Sequence, residues 1–184
     1  MDLGREKVKN NNGKIITLFS KEHFGLASKF EVDPSSCGNP GYYKDYLMYS
    51  ALSDNMSGKS TTHILLDTNT SSIAGFITLK ATALLTELDH NLFSGEPALE
   101  IYNLAVSKDY QRQGIGRDLV YLAIFITKSL NESFVGIRNI VLTADPKAVG
   151  FYEKLEFQKL SDYYLLPKDS QNKSCVPMIM KIYT

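Results

Sequence analysis

The chain has 184 residues, of which 43 % are hydrophobic, and its 20 basic and 20 acidic side chains give a formal net charge of zero. This length and composition predict one domain over residues 1–184 with a full hydrophobic core. The balanced charge provides no overall basic excess that would hold nucleic acid through its phosphates.

Cysteine usage and hydropathy exclude several other classes. Cys37 and Cys175 lie far apart, so neither a disulfide framework nor a metal site is expected. The charged N-terminus does not resemble a signal peptide, and no apolar run approaches the roughly 18 residues of a membrane span. The expected protein is therefore soluble and cytoplasmic, without membrane association.

The first third of the chain predicts one strand and two helices. The β-branched run 15–19 predicts a strand, and the mixed stretch 21–30 predicts a short helix. The composition of 33–41 indicates a loop. Residues 42–56 have helical periodicity, and Gly58 is expected to end this helix. Its tyrosines either face the core or line an acceptor cleft.

A hairpin and a central strand follow. The runs 61–67 and 73–83 predict the hairpin, in which Gly75 marks a bulge or a close backbone approach. Residues 85–97 are predicted to form a loop that leads into a strand at 98–106.

A carboxylate lies in an unusual position in this central strand. Glu100 is flanked by two apolar residues, and it shares a face with Tyr102 and Leu104 if no bulge intervenes. Burial would raise its pKa toward the range that suits a general base at neutral pH. The alternative is that Glu100 faces solvent or pairs with a lysine or arginine.

The turn after this strand contains Gly114 and Gly116 and runs into a long helix pattern that starts at Ile115. Glycine leaves room for a phosphate and tolerates positive φ, while the first helical N–H groups lack partners inside the helix. Arg117 rules out a P-loop, and Leu119 rules out the dinucleotide fingerprint. The turn therefore predicts another kind of anion site, unless the glycines make only a tight connection.

A strand–helix–strand unit completes the predicted centre of the fold. The helix is apolar on nearly every side through 119–134, so we expect it to be buried or to pack against a second copy. Gly136 is its expected cap, and 139–144 predicts a strand buried on both faces. This order predicts a parallel pair with a right-handed crossover.

The remaining elements are short. Asp145 and Pro146 are expected to begin another helix, since they match the cap and first-turn preferences. The last strands are predicted at 157–160, 163–166 and 177–182, with a loop at 171–173.

Two motifs, one βαβ unit apart, resemble the GNAT superfamily of acetyl-CoA-dependent N-acetyltransferases. The first is Q/R-x-x-G-x-G/A, which follows a strand ending in Leu-Ala-Val. The second is similar to N-x-x-A-x-x-F/L-Y-x-K-x-G-F, and its matching residues are Asp145, Ala148, Phe151, Tyr152, Lys154 and Phe157. Two positions depart from the second motif: Asp145 replaces the usual Asn, and Glu156 replaces the usual Gly, which makes the following turn less comfortable.

The resemblance implies an α+β, three-layer fold. Its mixed, mostly antiparallel central sheet would have about six to seven strands, with one parallel βαβ pair and flanking helices. It also implies acetyl-CoA as the cofactor and a primary amine, on a small molecule or peptide, as the acceptor. The amine would attack the thioester directly in a ternary complex. Glu100, eleven residues before Gln111 as in histone-type members, would be the general base, and Tyr152 would return a proton to the thiolate.

The resemblance further implies which residues bind the cofactor. Backbone groups at the strand end would hold the pantetheine arm, and the glycine turn would bind the pyrophosphate with help from two arginines. The expected cofactor-binding residues are Leu104, Ala105, Val106, Gln111, Arg112, Gln113, Gly114, Ile115, Gly116, Arg117, Asp145 and Lys154.

A weaker match resembles the bacterial GNAT toxins, which acetylate aminoacyl-tRNA. It comprises Tyr46, Leu47 and Ala51, the run 73–79, and Gly136 with Arg138. No basic run supports tRNA binding, so aminoacyl-tRNA is a weakly supported alternative acceptor. A domain that binds coenzyme A without turnover is another alternative, and the apolar helix would permit a homodimer.

Overall fold

The computed structural model describes residues 8–10, 13–89, 92–162, 164–167 and 174–183. The described strands are β1 (Val8–Asn10), β2 (Lys14–Leu18), β3 (Thr61–Asp67), β4 (Ser72–Asp89), β5 (Leu92–Val106), β6 (Asn139–Ala144), β7 (Gln158–Lys159), β8 (Tyr164–Leu165) and β9 (Val176–Lys181). The described helices are α1 (Phe24–Ala27), α2 (Pro40–Tyr49), α3 (Ala51–Ser57), α4 (Ile115–Ser133) and α5 (Val149–Glu153). Short 3₁₀ helices form at Lys21–His23, Lys108–Tyr110 and Pro146–Ala148.

The strands form one mixed sheet. Their order is β1-β2-β3-β4-β5-β6-β9-β7, with β8 beside β4, and β5 pairs with β6 in parallel. The prediction of a mostly antiparallel α+β sheet with one parallel βαβ pair is confirmed. The described strands outnumber the six to seven expected because β1, β7 and β8 have only two or three residues each, too few to produce a readable pattern.

The chain forms two compact units. The first combines Met1–Thr78 with Asn103–Leu119, and the second combines Leu79–Tyr102 with Val120–Thr184. The single domain expected over residues 1–184 stays a prediction.

An aromatic cluster around Phe76 forms part of the core of the first unit. The ring of Tyr46 stacks on Phe76 with their centroids 6.4 Å apart, and Phe30 packs edge-on at 5.4 Å. The buried Tyr46 hydroxyl donates to Asp54 at 3.3 Å. By contrast, Tyr49 is exposed. The core-facing interpretation of the tyrosine stripe therefore holds for Tyr46.

The helix predicted over 42–56 is two helices. Ser50 has φ −120°, outside helical values, and it separates α2 from α3. A serine hydroxyl can form hydrogen bonds with nearby backbone groups in non-helical conformations. It therefore competes with the helical hydrogen bonds, which makes a break at this residue easier. Gly58 ends α3 with φ 71°, as predicted.

The predicted loop over 85–97 is wrong. β4 extends to Asp89 and β5 begins at Leu92, so these residues form a long hairpin arm. The exposed residues Ser94 and Gly95 hid the strand because serine and glycine are typical of turns and loops. The hairpin tip, 90–91, lies outside the described residues.

The parallel pair lies in the second unit. Ala98–Ile101 of β5 pairs in register with Asn139–Leu142 of β6, and these β6 residues are buried as predicted. Leu84, Val141 and Ile179 belong to the core cluster of this unit.

The expected glycine cap of α4 is wrong. Gly136 is not among the glycines with positive φ. Instead, the Asn131 side chain donates to the Ile137 carbonyl at 2.7 Å and accepts from the Ile137 N–H at 2.6 Å. The Asn131 amide thus ties the chain that leaves α4 back to the last turn of the helix.

The closing strands are shorter than predicted. The described parts are β7, β8 and β9, and the predicted residues Tyr163 and 171–173 lie outside the described ones. Among the helices of the described ranges, none is both long and apolar enough to cross a membrane.

Candidate active site

The predicted site residues fall into two groups, one in each unit. In the first unit, the turn between β5 and α4 has two residues with left-handed backbone. Arg112 has φ 60° and Gly114 has φ 82°. Left-handed residues are a component of the backbone nests in which successive N–H groups point at one anion. Gly116 does not contribute positive φ, because it already lies in the first turn of α4.

The start of α4 supplies further donors. Asp118 N–H makes a helical bond to the Gly114 carbonyl at 3.0 Å. The N–H groups of Ile115, Gly116 and Arg117 precede this bond, at the end of the helix where the dipole is positive. Backbone geometry therefore makes this turn suitable for a diphosphate group.

Several side chains of the turn contact neighbouring residues. Gln111 donates to the Ser36 hydroxyl at 3.4 Å, and Gln113 donates to the Asp109 carbonyl at 3.2 Å. The Arg117 Nε lies 3.5 Å from an Asp118 oxygen. Arg112 is exposed beside the nest. A diphosphate would therefore meet mostly backbone groups, with the arginines at its edge.

Tyr110 anchors the turn. Its hydroxyl lies 2.7 Å from the hydroxyls of Thr70 and Ser72, and it donates to an Asp67 oxygen at 3.1 Å. Burial acts to raise the pKa of Asp67, but hydrogen bonds from Asn69, Tyr110 and Thr70 and the charge of Lys14 outweigh it and lower the pKa. Sequence reasoning missed Tyr110, because these partners are more than 35 residues away.

A second anchor follows the end of β5. Ser107 N–H donates to the Ala74 carbonyl and Lys108 N–H to the Glu31 carbonyl, both at 2.9 Å. The Lys108 ammonium also pairs with the Glu31 carboxylate, and this hydrogen bond and charge lower the pKa of Glu31. The segment that leads from β5 into the turn is thus tied to other elements of the first unit.

The end of β5 carries a buried donor that the sequence did not single out. Leu104, Ala105 and Val106 lie beyond Ile101, where the parallel register with β6 ends. Beside them, the Asn103 side-chain nitrogen is buried without a hydrogen-bond partner in the described structure. Such a donor is costly unless a water or ligand oxygen accepts from it. It therefore fits a strand end that binds a group rich in acceptors.

In the second unit, Glu100 is both buried and paired. Its exposure is 2 %, and the Lys80 ammonium lies 3.9 Å from Oε2. The same ammonium lies 5.6 Å from the centre of the Tyr102 ring, which agrees with Glu100 and Tyr102 sharing a face. Glu100 is therefore buried, as one interpretation expects, and paired with a lysine, as the other expects, while its role as a base stays a prediction. The sequence did not reveal Lys80 as the partner.

Tyr152 lies on α5 and is buried by its aromatic neighbours. The Phe151 and Phe157 rings pack edge-on against it, with centroids 4.9 and 5.6 Å away. The Phe157 N–H also donates to the Tyr152 carbonyl at 3.1 Å. These contacts hold the phenol ring in one orientation.

The other motif residues of the second unit have local structural roles. An Asp145 oxygen accepts from Lys147 N–H at 2.9 Å and so caps the 3₁₀ turn. Lys154 is exposed. Glu156 has φ 69°, so the discomfort expected where the motif has glycine is confirmed.

A family model described as the acetyltransferase (GNAT) family matches residues 27–157. The chain therefore belongs to the GNAT acetyltransferase family. It is an acyltransferase, and acetyl-CoA is its cosubstrate, as the motifs predicted. No curated protein sequence matches the chain.

Three solved structures illustrate the similarity of fold. A bacterial toxin has 22 % identity and a TM-score of 0.71, covering 92 % of this chain and 90 % of its own. A tyrosine-to-phenylalanine mutant of the AtaT toxin has 17 % identity and a TM-score of 0.73, covering 99 % and 96 %. AtaT complexed with acetyl-methionyl-tRNAfMet has 20 % identity and a TM-score of 0.66, covering 89 % and 93 %.

Proposed function

We propose that this acetyltransferase moves the acetyl group of acetyl-CoA to a primary amine by direct attack in a ternary complex, with Glu100 as the general base. The observation that carries this is the burial of Glu100 opposite the Lys80 ammonium. Acetyl transfer needs a group that takes the proton of the attacking amine, and a carboxylate in the site can do this.

The proposed chemistry assigns one task to each group. The thioester supplies an activated acetyl carbon. Glu100 accepts the proton of the attacking amine, directly or through a water, so that the nitrogen can form its bond to the carbonyl carbon. Backbone groups of Leu104, Ala105 and Val106 hold the pantetheine arm and polarise the carbonyl. When the C–S bond breaks, Tyr152 gives its proton to the leaving sulfur.

The nest at Arg112 and Gly114, with the N–H groups that begin α4, is proposed to bind the pyrophosphate. Gln111, Gln113 and Asp145 remain proposed cofactor contacts, whereas Lys154 lines a separate pocket. For Asp145 the proposal is weakened by the cap bond to Lys147, which occupies one carboxylate oxygen.

Glu100→Gln tests the proposed base. We expect acetyl transfer at least roughly 100-fold slower, with little change in acetyl-CoA affinity, because the amide cannot accept the proton. Free thiol released from acetyl-CoA would be measured across pH with a panel of amines and peptides. The matched control is Glu87→Gln, an exposed residue on β4. Unchanged turnover at every pH would remove Glu100 from the mechanism.

Tyr152→Phe tests the proposed acid. The variant keeps the packing against Phe151 and Phe157 but lacks the hydroxyl, so turnover should fall about 10–100-fold. Tyr49→Phe, at an exposed tyrosine on α2, should leave turnover unchanged. A wild-type rate for Tyr152→Phe would mean that this tyrosine contributes only packing.

Aminoacyl-tRNA is the second candidate acceptor, since its α-amino group is also a primary amine. Its support is the similarity in fold to AtaT, which was solved with acetyl-methionyl-tRNAfMet and also with its antitoxin AtaR. AtaT and KacT were both also solved as tyrosine-to-phenylalanine mutants. A toxin predicts acetylation of charged tRNA when it is added to the panel, and growth arrest on expression that Glu100→Gln or Tyr152→Phe relieves.

A third candidate is a module that binds coenzyme A without turnover. It predicts thermal stabilisation by the cofactor and no thiol release with any amine or charged tRNA.

A further inference from the structure

A second concave site lies entirely within the second unit. Its volume is about 330 Å³. It is lined by Tyr121, Ile124, Lys128, Lys154, Leu155, Glu156, Met180, Lys181 and Ile182. The turn at 111–116 does not contribute to it.

Three lysines from separate elements converge on this pocket. Lys128 comes from α4, Lys154 from the turn after α5, and Lys181 from the end of β9. Glu156 is the only acidic residue in the lining, so the charged groups leave an excess of two positive charges. In the described ranges none of these lysines forms an ion pair, so their ammonium groups are available to an anion.

The rest of the lining is apolar or aromatic. Ile124, Leu155 and Met180 offer a hydrophobic surface, and Tyr121 on α4 adds a half-exposed ring. Ligand pockets range from about 300 to 1,000 Å³, which places this one at the small end. The lining therefore matches a small ligand that has one strongly anionic group and one flat apolar part.

Backbone strain coincides with this pocket. Glu156 has φ 69°, which costs a non-glycine residue about 1 kcal/mol or more. Left-handed residues occur at ligand sites and also after helix ends, and Glu156 follows the end of α5. The Glu156 carboxylate gives the pocket an acceptor, which suits a ligand that also carries hydroxyl groups.

We propose that this pocket binds a nucleoside monophosphate at a site separate from that of acetyl-CoA. The phosphate lies among Lys128, Lys154 and Lys181, the base lies against Tyr121 and the apolar wall, and the ribose hydroxyls donate to Glu156. Lys154 then serves this pocket rather than the cofactor.

Calorimetric titration of the full chain with AMP, adenosine and inorganic phosphate tests this, at constant ionic strength and with or without saturating acetyl-CoA. We expect one AMP per chain under both conditions, and much weaker binding of adenosine and of phosphate. Lys128→Gln combined with Lys181→Gln should weaken AMP binding about tenfold. Lys159→Gln, an exposed lysine outside the pocket, is the matched control and should have no effect.

Four results would overturn this site: no AMP binding at millimolar concentration, displacement of AMP by acetyl-CoA, wild-type affinity in the double variant, or equal loss in Lys159→Gln. Thermal unfolding of the double variant checks its folding, which should be unaffected because both lysines are exposed. The readout is AMP binding, so its outcome is independent of whether the chain transfers an acetyl group.

Discussion

At the scale of single residues, backbone strain marks the parts of the chain with candidate binding roles. Three described non-glycine residues have positive φ: Ser71, Arg112 and Glu156. Ser71 lies in a hairpin turn, where such values are common. Arg112 forms the proposed anion nest, and Glu156 lines the lysine pocket. Two of these three positions therefore coincide with a candidate site.

Glu156→Gly should stabilise the protein. Glycine adopts φ 69° without a Cβ clash, and this gain exceeds the entropy that glycine adds to the unfolded chain, for a net effect of about 1 kcal/mol. A thermal scan should show a midpoint about 2–4 °C higher.

Glu153→Gly is the matched control, since Glu153 is an exposed residue of α5 with helical backbone. It should destabilise by about 1 kcal/mol. Equal losses in the two variants would mean that the backbone at Glu156 is not strained.

At the scale of elements, β4, β5 and α4 meet closely at Gly75. A Cβ at this position would lie 3.0 Å from the Ala105 carbonyl oxygen, 3.1 Å from Ile115 and 3.2 Å from Leu119. The close backbone approach predicted from the sequence is therefore confirmed. Ala105 and Ile115 flank the proposed pyrophosphate turn, so this contact fixes the spacing between the strand end and the helix start.

Gly75→Ala should lower both stability and acetyl-CoA affinity. The new methyl group must push against a backbone oxygen and two buried side chains, which costs about 1–3 kcal/mol. Urea unfolding and calorimetric titration with acetyl-CoA would measure the two effects.

Gly95→Ala is the control within the same pair of strands. Its Cβ would lie 3.5 Å from Ala83 and 3.7 Å from Leu85, which are ordinary contacts. We expect a change within about 0.5 kcal/mol. Identical unfolding curves for the two variants would contradict the tight packing at Gly75.

At the scale of the whole molecule, the free energy of unfolding should depend on pH in two ranges. Burial lowers the pKa of His63 below its ordinary value of 6.5. The pKa values of Asp67 and Glu31 are lowered below 3.8 and 4.5 by their hydrogen-bond partners, which in Asp67 outweigh burial. In all three cases the unfolded chain binds protons more readily than the folded one.

Stability should therefore be full above about pH 6.5, decline as His63 is protonated in the unfolded chain, and decline again below about pH 4. Urea unfolding at about pH 8, 5.5 and 3.5 would measure this. His63→Gln should remove the first decline and keep the second. A wild-type protein that is equally stable at the two higher pH values would contradict the lowered pKa of His63.

Local patterns were sufficient for much of this protein. The strands Thr61–Asp67 and Asn139–Ala144, the start of α4 and the parallel pair followed from side-chain periodicity and turn residues, since both act over a few neighbours. The two motifs identified the family because their spacing spans one βαβ unit. What the sequence determined by itself is therefore the class of fold and the class of chemistry.

The tertiary structure alone decided the partners. Lys80 opposite Glu100, Tyr110 beside Asp67 and the three lysines of the pocket join residues that are distant along the chain. The break at Ser50 and the long hairpin arm were likewise not visible in the local pattern. The same physical reason applies to all of these features. A residue type determines local conformational preferences, but packing between elements determines which residues come into contact.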